Sequence, residues 1–314
     1  MVADDKYILV VGASIVDIIG FGSKEYTPKD SIPGFIKVSL GGVCRNIAEN
    51  LARVGVSTEF ISIVGNDSNG LSILDHSKRI GYRMNNSLIL ENECTPTYMA
   101  ILNNEGEMES AVVDMGSLNK MDTTFIDSKA EIFENAEYTI VDSDNPILLE
   151  YMLKKYRGKT RFVLDPVSAN KAKKISHLVK YFHTIKPNRF EAEALCGFKI
   201  NTDEDLKKAA RFFLDQGVEN VFISLDADGI YYLTKEEEGK LAFSNKIDVK
   251  NVTGAGDSFV AGLGYGYMNK LSTIDTLKYA VAMSLVTITH EETINPNMSY
   301  EYVKEYIKQI NWIE

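Results

Sequence analysis

The sequence predicts a three-layer α/β protein, a mostly parallel central sheet with helices on both faces, joined by a small β lid. Three observations predict it. Short apolar runs alternate with helical stretches along most of the 314 residues. Two segments, 17–40 and 95–114, break that alternation in an extended, turn-rich way. The composition, 45% hydrophobic and 25% charged, is that of an ordinary globular chain with ample core.

In chain order, a strand at 7–12 opens the sheet, and 17–40 follows as extended chain punctuated by Gly20, Gly22, Pro28, Pro33 and Gly34. A helix at 43–54, a strand at 60–64 and a helix at 70–80 resume the alternation. Residues 98–102 and 109–114 read as two strands about the turn Asn103-Asn104-Glu105-Gly106. Strands at 138–142, 162–165, 183–186 and 221–225 alternate with helices at 146–155, 189–195 and 203–216. Helices at 254–268 and 273–289 complete the set. No linker or repeat divides the chain, so one catalytic domain over 1–314 is expected, its lid built from parts of 17–40 and 95–114. In such sheets ligands lie beyond the carboxyl ends of the strands, so the loops there are where chemistry is sought.

A net charge of −10 without a basic run argues against nucleic acid or an anionic membrane as partner. Three cysteines, Cys44, Cys94 and Cys196, lack metal or CxxC spacing and read as reduced thiols. The N-terminus carries acidic residues before its apolar run, unlike a secretory signal, and no run reaches about 18 apolar residues. A cytoplasmic protein is expected.

The segment that carries chemistry is NVTGAGDSF at 251–259, running into the apolar VAGLG at 260–264. Small residues entering a helix leave the first-turn N–H groups free and accessible, at the positive end of the helix dipole. A phosphoryl group gaining charge suits that position, and Asp257 within the same turn could take a proton from a hydroxyl. On spacing alone, a glycine-rich turn capped by Asp257 fits equally well.

The segment TGAGDSF at 253–259 resembles the C-terminal signature of the ribokinase/phosphofructokinase-B carbohydrate kinases. Their N-terminal signature is matched by GGVCRNIAENLARVG at 41–55. VGND at 64–67 with Gly70, and KPN at 186–188 with Glu191, match further blocks in the family's order. GGVCRNIA at 41–48, DPVSA at 165–169, HTIKPNRFEAE at 183–193 and NVTGAGD at 251–257 are most similar to the family's pseudouridine-phosphorylating branch.

The resemblance implies a ribokinase-like sandwich and ATP-dependent phosphorylation of the 5′-hydroxyl of pseudouridine, with Mg²⁺. A ribokinase-like sugar kinase or another nucleoside kinase (inosine, adenosine, uridine) is the alternative. A non-catalytic ligand sensor is the remote one, disfavoured because Gly254, Ala255, Gly256 and Asp257 are intact. Asp257 is then the base, and the amides of Gly254, Ala255 and Gly256 the anion hole.

By the same resemblance Asp17 grips the sugar hydroxyls, a role set against that of a hinge cap. Gly41 and Gly42 admit the sugar to the backbone, and Asn46, one turn on, offers donor and acceptor. Arg45 either contacts a base or pairs with an acidic neighbour. Tyr98 and Met115 either pack on a nucleobase or fill the lid core. Asn188 and Glu191 organise nucleotide and, through water, Mg²⁺, a role set against that of a helix cap. Ser224 and Gly229 fall near the nucleotide phosphates.

Three departures stand out. Asp226 replaces a usual glycine, Ile15 a common Asn, and Asn251 the Asp of a monovalent-cation site, which leaves K⁺ dependence open. Exposed lid strands invite a homodimer.

Other glycine patterns are decoys. Gly65 to Ser72 has P-loop spacing without its Lys, and Gly12 lacks the second glycine of a dinucleotide fingerprint. Gly262, Gly264 and Gly266 lie within the 254–268 helix, where close helix packing explains them.

Overall fold

The computed structural model describes residues 6–313. The strands begin with β1 (Ile8–Val11), β2 (Ile15–Gly22), β3 (Gly34–Gly41), β4 (Thr58–Ile61) and β5 (Ile63–Gly65). Next come β6 (Leu88–Leu90), β7 (Thr97–Leu102), β8 (Met108–Asp114), β9 (Tyr138–Val141) and β10 (Arg161–Leu164). The last are β11 (Thr184–Ile185), β12 (Asn220–Ser224), β13 (Ile230–Thr234), β14 (Glu238–Phe243) and β15 (Trp312–Ile313). The helices are α1 (Val43–Arg53), α2 (Ser68–Ile80), α3 (Thr123–Asp127), α4 (Ala130–Asn135), α5 (Pro146–Tyr156) and α6 (Ala169–Lys174). They continue with α7 (Arg189–Cys196), α8 (Asp203–Asp215), α9 (Ala255–Met268), α10 (Thr273–Ile288) and α11 (Tyr300–Ile307).

Nine strands form the main sheet in the order β15-β14-β13-β12-β11-β10-β9-β1-β4. From β4 to β12 all neighbours are parallel, and β13 to β15 add an antiparallel edge. The parallel strands read as continuous apolar runs because both faces are covered. One face packs on Ile47, Leu51, Val260 and Leu263 of α1 and α9, the other on Leu149, Leu153, Ala209 and Phe213 of α5 and α8.

The two irregular segments form the expected small sheet, four strands in the order β3-β2-β7-β8. Residues 60–64 differ from expectation. The run splits at Ser62 into β4, in the main sheet, and β5, which pairs with β6 in a two-stranded ribbon. An unbroken apolar run hides such a break, since burial is the same on both sides of it.

Of Gly262, Gly264 and Gly266 in α9, the first and last behave as helix-packing residues, whereas Gly264 packs on Ile8 and Ile140 of the sheet and Leu51 of α1. A Cβ at Gly262 would strike the backbone of Ala280 in α10, and one at Gly266 would strike Thr276. Tyr265 stacks on Tyr279 between the same helices, centroids 3.9 Å apart. The start of α9 lies where β10 and β11 end, with Gly256 beside Asp165 and Lys186.

Candidate active site

Gly254 caps α9 in the left-handed region, φ 83°, and a Cβ there would strike the carbonyl of Thr293. Only glycine fits, and the turn leaves α9 with its first amides aimed outward. Ala255 N–H is drawn into a turn bond to Val252 O at 3.3 Å. Among the described residues the amides of Gly254, Gly256 and Asp257 have no such partner. Of the three amides expected to form an anion hole, those of Gly254 and Gly256 thus lack a backbone partner and that of Ala255 has one.

Asp257 is buried, and Asn46 Nδ2 donates to its Oδ2 at 2.7 Å. Burial, and then the nearby Asp165, push its pKa up to about 7 against the opposing pull of Asn46, Lys186 and Arg45. Such a carboxyl changes charge near neutral pH, as a general base should.

Asn46 is itself oriented. Its Oδ1 accepts from Arg45, whose Nη1 binds Glu49 Oε2 at 2.6 Å and whose Nε donates to Gly41 O at 3.2 Å. Glu49 also meets His76 Nε2 at 2.8 Å and Arg53 at 2.7 Å, all at one buried point. Arg45 is thus committed to the acidic neighbour, the second of its two expected roles.

Asp17 lies on β2 of the small sheet, its Oδ2 directly against Gly41. Gly42 has φ 103°, and a Cβ on it would collide with Ala13 O, so the chain enters α1 flush against the loop after β1. Desolvation raises the Asp17 pKa, with Arg45 opposing it. Tyr98 on β7 is the register partner of Asp17, and its hydroxyl donates to Met108 Sδ at 3.4 Å. Tyr98 therefore belongs to the packing of the small sheet as well as to the edge of the site.

Asn188 and Glu191 form a capping box at the start of α7. Asn188 Oδ1 accepts Glu191 N–H at 2.9 Å, and Glu191 Oε2 accepts Asn188 N–H at 2.8 Å. Glu191 stays buried, with desolvation and Asp165 raising its pKa. Ser224 pairs with Asn188 across an isolated bridge, and Gly229, at φ 88°, packs against Leu241 O. Asp226 takes up the left-handed conformation, φ 52°, with its side chain exposed, so it keeps a glycine-like backbone that Asp tolerates. Asn251 spends its amide internally, donating to Glu291 O at 3.0 Å and accepting Thr253 N–H at 2.9 Å.

Two residues without an assigned role in the sequence reading join the site. Lys186, at the end of β11, is 6% exposed, and its Nζ lies 2.9 Å from where a Cβ on Gly256 would sit. Asp165, at the end of β10, stands 3.9 Å from that ammonium. A lysine after a strand is ordinary in sequence, and only the convergence of β10, β11 and α9 reveals this one. Buried carboxylates at 165 and 191 beside one lysine leave excess negative charge, which fits a divalent cation shared with phosphates. Among the described residues no cluster of three or more His, Cys, Asp or Glu forms a metal cage. Among the described residues, too, no helix is long and apolar enough to cross a membrane.

Residues 5–299 match the family described as pfkB family carbohydrate kinase. Pseudouridine kinase of Escherichia coli strain K12 is 34% identical over 94% of this chain and 95% of its own. A crystal structure from Clostridium perfringens, provisionally described as a sugar kinase, shares 58% identity and superposes with TM-score 0.95 over 98% of this chain and 97% of its own. Ribokinase of Arabidopsis thaliana, solved with ribose and ATP, shares the fold at 21% identity and TM-score 0.84, over 96% of this chain and 99% of its own.

Proposed function

The chain belongs to the pfkB family of carbohydrate kinases, and from that membership we propose that it transfers the γ-phosphoryl group of ATP to the 5′-hydroxyl of pseudouridine. The observation that carries this reading is Asp257, buried, ionisable near pH 7, held by Asn46 and set among the free amides that open α9. The likeness to a pseudouridine kinase supports the choice of acceptor.

In the reaction, Asp17 accepts hydrogen bonds from the vicinal ribose hydroxyls, with Gly41 and Gly42 at van der Waals range. Asn46 uses one N–H on Asp257 and one lone pair on Arg45, and its remaining N–H and lone pair face the sugar. Asp257 takes the 5′-hydroxyl proton as that oxygen bonds to the γ-phosphorus and the bond to the ADP oxygen breaks. The amides of Gly254, Gly256 and Asp257, with the Lys186 ammonium, hold the charge gathering on the phosphoryl oxygens. Asn188, Ser224 and Gly229 line the nucleotide side. Glu191, through water, and Asp165 would hold Mg²⁺, which would supply charge neutralisation to the phosphates. Asn251 has the marks of a loop staple, and no K⁺ role is assigned to it.

The small sheet serves as a lid, and its exposed apolar side chains, among them Phe35, Ile36, Val112 and Val113, favour pairing with a second copy. Sedimentation as a monomer at micromolar concentration would remove that pairing.

Phosphate transfer by purified wild-type and Asp257→Asn protein, with pseudouridine, uridine and ribose as acceptors, tests the reading. The variant should lose roughly 10²–10⁴-fold in kcat. Near-wild-type turnover would dismiss Asp257 as the base, and a preference for ribose or uridine would leave a kinase with a different acceptor.

A further inference from the structure

A cavity of about 260 Å³ opens beside the carboxyl ends of β1 and β9. Its walls are mainly apolar, from Met115, Leu118 and Met121 beyond β8 and from Leu148 and Met152 of α5. One buried charged group faces it. Asp142, 7% exposed, ends β9, and its Oδ1 accepts Asp144 N–H at 3.0 Å. Its Oδ2 is buried without a hydrogen bond among the described residues. An orphaned acceptor in an apolar pocket is costly unless a ligand supplies the donor. Burial, and then the charge of Asp144, raise the pKa of this carboxyl, against the opposing pull of Asp144 N–H, the neighbouring Cys44 thiol and Lys171. Asp144 also lines the cavity, and its Oδ1 accepts from the Lys171 ammonium at 2.6 Å.

The cavity borders the proposed sugar site. Gly12 and Ala13 line it, and the same two residues touch the start of α1, Gly12 against Cys44 and Ala13 against Gly42. A ribose held at Asp17 and Gly42 therefore has its anomeric substituent within reach of the cavity mouth. Met115 closes the far side at the point where the chain leaves the small sheet.

We propose that this cavity takes the heterocycle of a C-linked pyrimidine nucleoside, with Asp142 Oδ2 accepting its N1–H. The inference rests on the kinase reading above and adds the residue that sets acceptor specificity. Pseudouridine carries N1–H where uridine carries C5–H, and the two isomers are otherwise nearly the same shape. An acceptor at that edge gains a charge-assisted bond from one isomer and is left buried and unpaired by the other. Apolar walls alone could not separate two such isosteres.

The test compares kcat/KM for pseudouridine, uridine and N1-methylpseudouridine in wild-type and Asp142→Asn protein, with thermal unfolding as the fold control. Asn at 142 keeps an oxygen for Asp144 N–H and turns an NH₂ toward the cavity, so acceptor becomes donor. The wild type should favour pseudouridine over both other nucleosides by about 10- to 10²-fold. In the variant the pseudouridine-to-uridine ratio should collapse toward one. Should the variant unfold, the wild-type ratios decide by themselves. Wild-type protein that uses pseudouridine and N1-methylpseudouridine equally well overturns the Asp142 assignment and leaves the kinase reading standing. A variant that loses all three acceptors in equal proportion overturns it too. Wild-type protein that ignores pseudouridine and phosphorylates ribose or purine nucleosides overturns the acceptor reading itself, and the base pocket falls with it.

Discussion

Asp257 is buried, yet the proposed reaction uses it as a carboxylate. Its raised pKa means that the folded protein keeps a proton which the unfolded chain releases near pH 3.8. The stability this lends is complete below pH 3.8 and is lost as pH rises through about 7, so the ionised base burdens the fold where the enzyme works. Two outcomes follow. The kcat/KM of the wild type should fall about tenfold per pH unit below about 7. Asp257→Asn should raise the melting temperature by a few degrees at pH 8 and hardly at all at pH 4, measured by calorimetry at both. Equal shifts at the two pH values would show that burial does not burden the carboxylate. The motif at 253–259 drew attention to Asp257 because its glycines and its acid lie on one short stretch, and the family resemblance chose a base over a capping residue. Lys186 appeared only as part of a matched block with no role of its own, and Asp142 only as the end of a strand, because the neighbours that give each its place come from segments far away in the chain.

At the scale of elements, α1 carries the hub that orients Asn46. Burial alone would raise the Glu49 pKa, but the hydrogen bond from His76 and the guanidiniums of Arg45 and Arg53 outweigh it and hold it down to about 2. The unfolded value is the ordinary 4.5, so this contribution is complete above pH 4.5 and is lost as pH falls toward 2. Glu49→Ala leaves the Arg45 charge buried without its carboxylate, with only Gly41 O and Asn46 Oδ1 to accept from it, and should cost roughly 3–5 kcal/mol by denaturant unfolding. Its acid unfolding should also lose the wild type's steepening below pH 4.5. A cost below about 1 kcal/mol would mean that Arg45 finds water or another acceptor. The sequence showed Arg45 and Glu49 four apart on a helix, the spacing of a pair. It could not show His76 arriving from α2 to bury them, so Arg45 was left with two roles.

Across the whole molecule, β-α alternation made the parallel strands and their helices legible, and the failure of alternation marked the small sheet. The antiparallel edge from β13 to β15 was not legible, because β15 is two residues long and pairs with a strand some seventy residues earlier in the chain. As a lid, the small sheet should leave ATP idle until a nucleoside is bound. ATP consumption without acceptor should be a small fraction of that with pseudouridine, and equal rates would deny the sheet that role. The placement of Asp17 has a thermodynamic corollary. It rides on β2 of the small sheet, whereas Asp257 rides on α9 against the large one. An acceptor held by both is a rivet between two bodies, and its hydroxyls contribute to the closure that assembles the reactive geometry. Deoxygenating the ribose far from the 5′-oxygen should then lower turnover as well as affinity, because the energy lost is what drew the halves together.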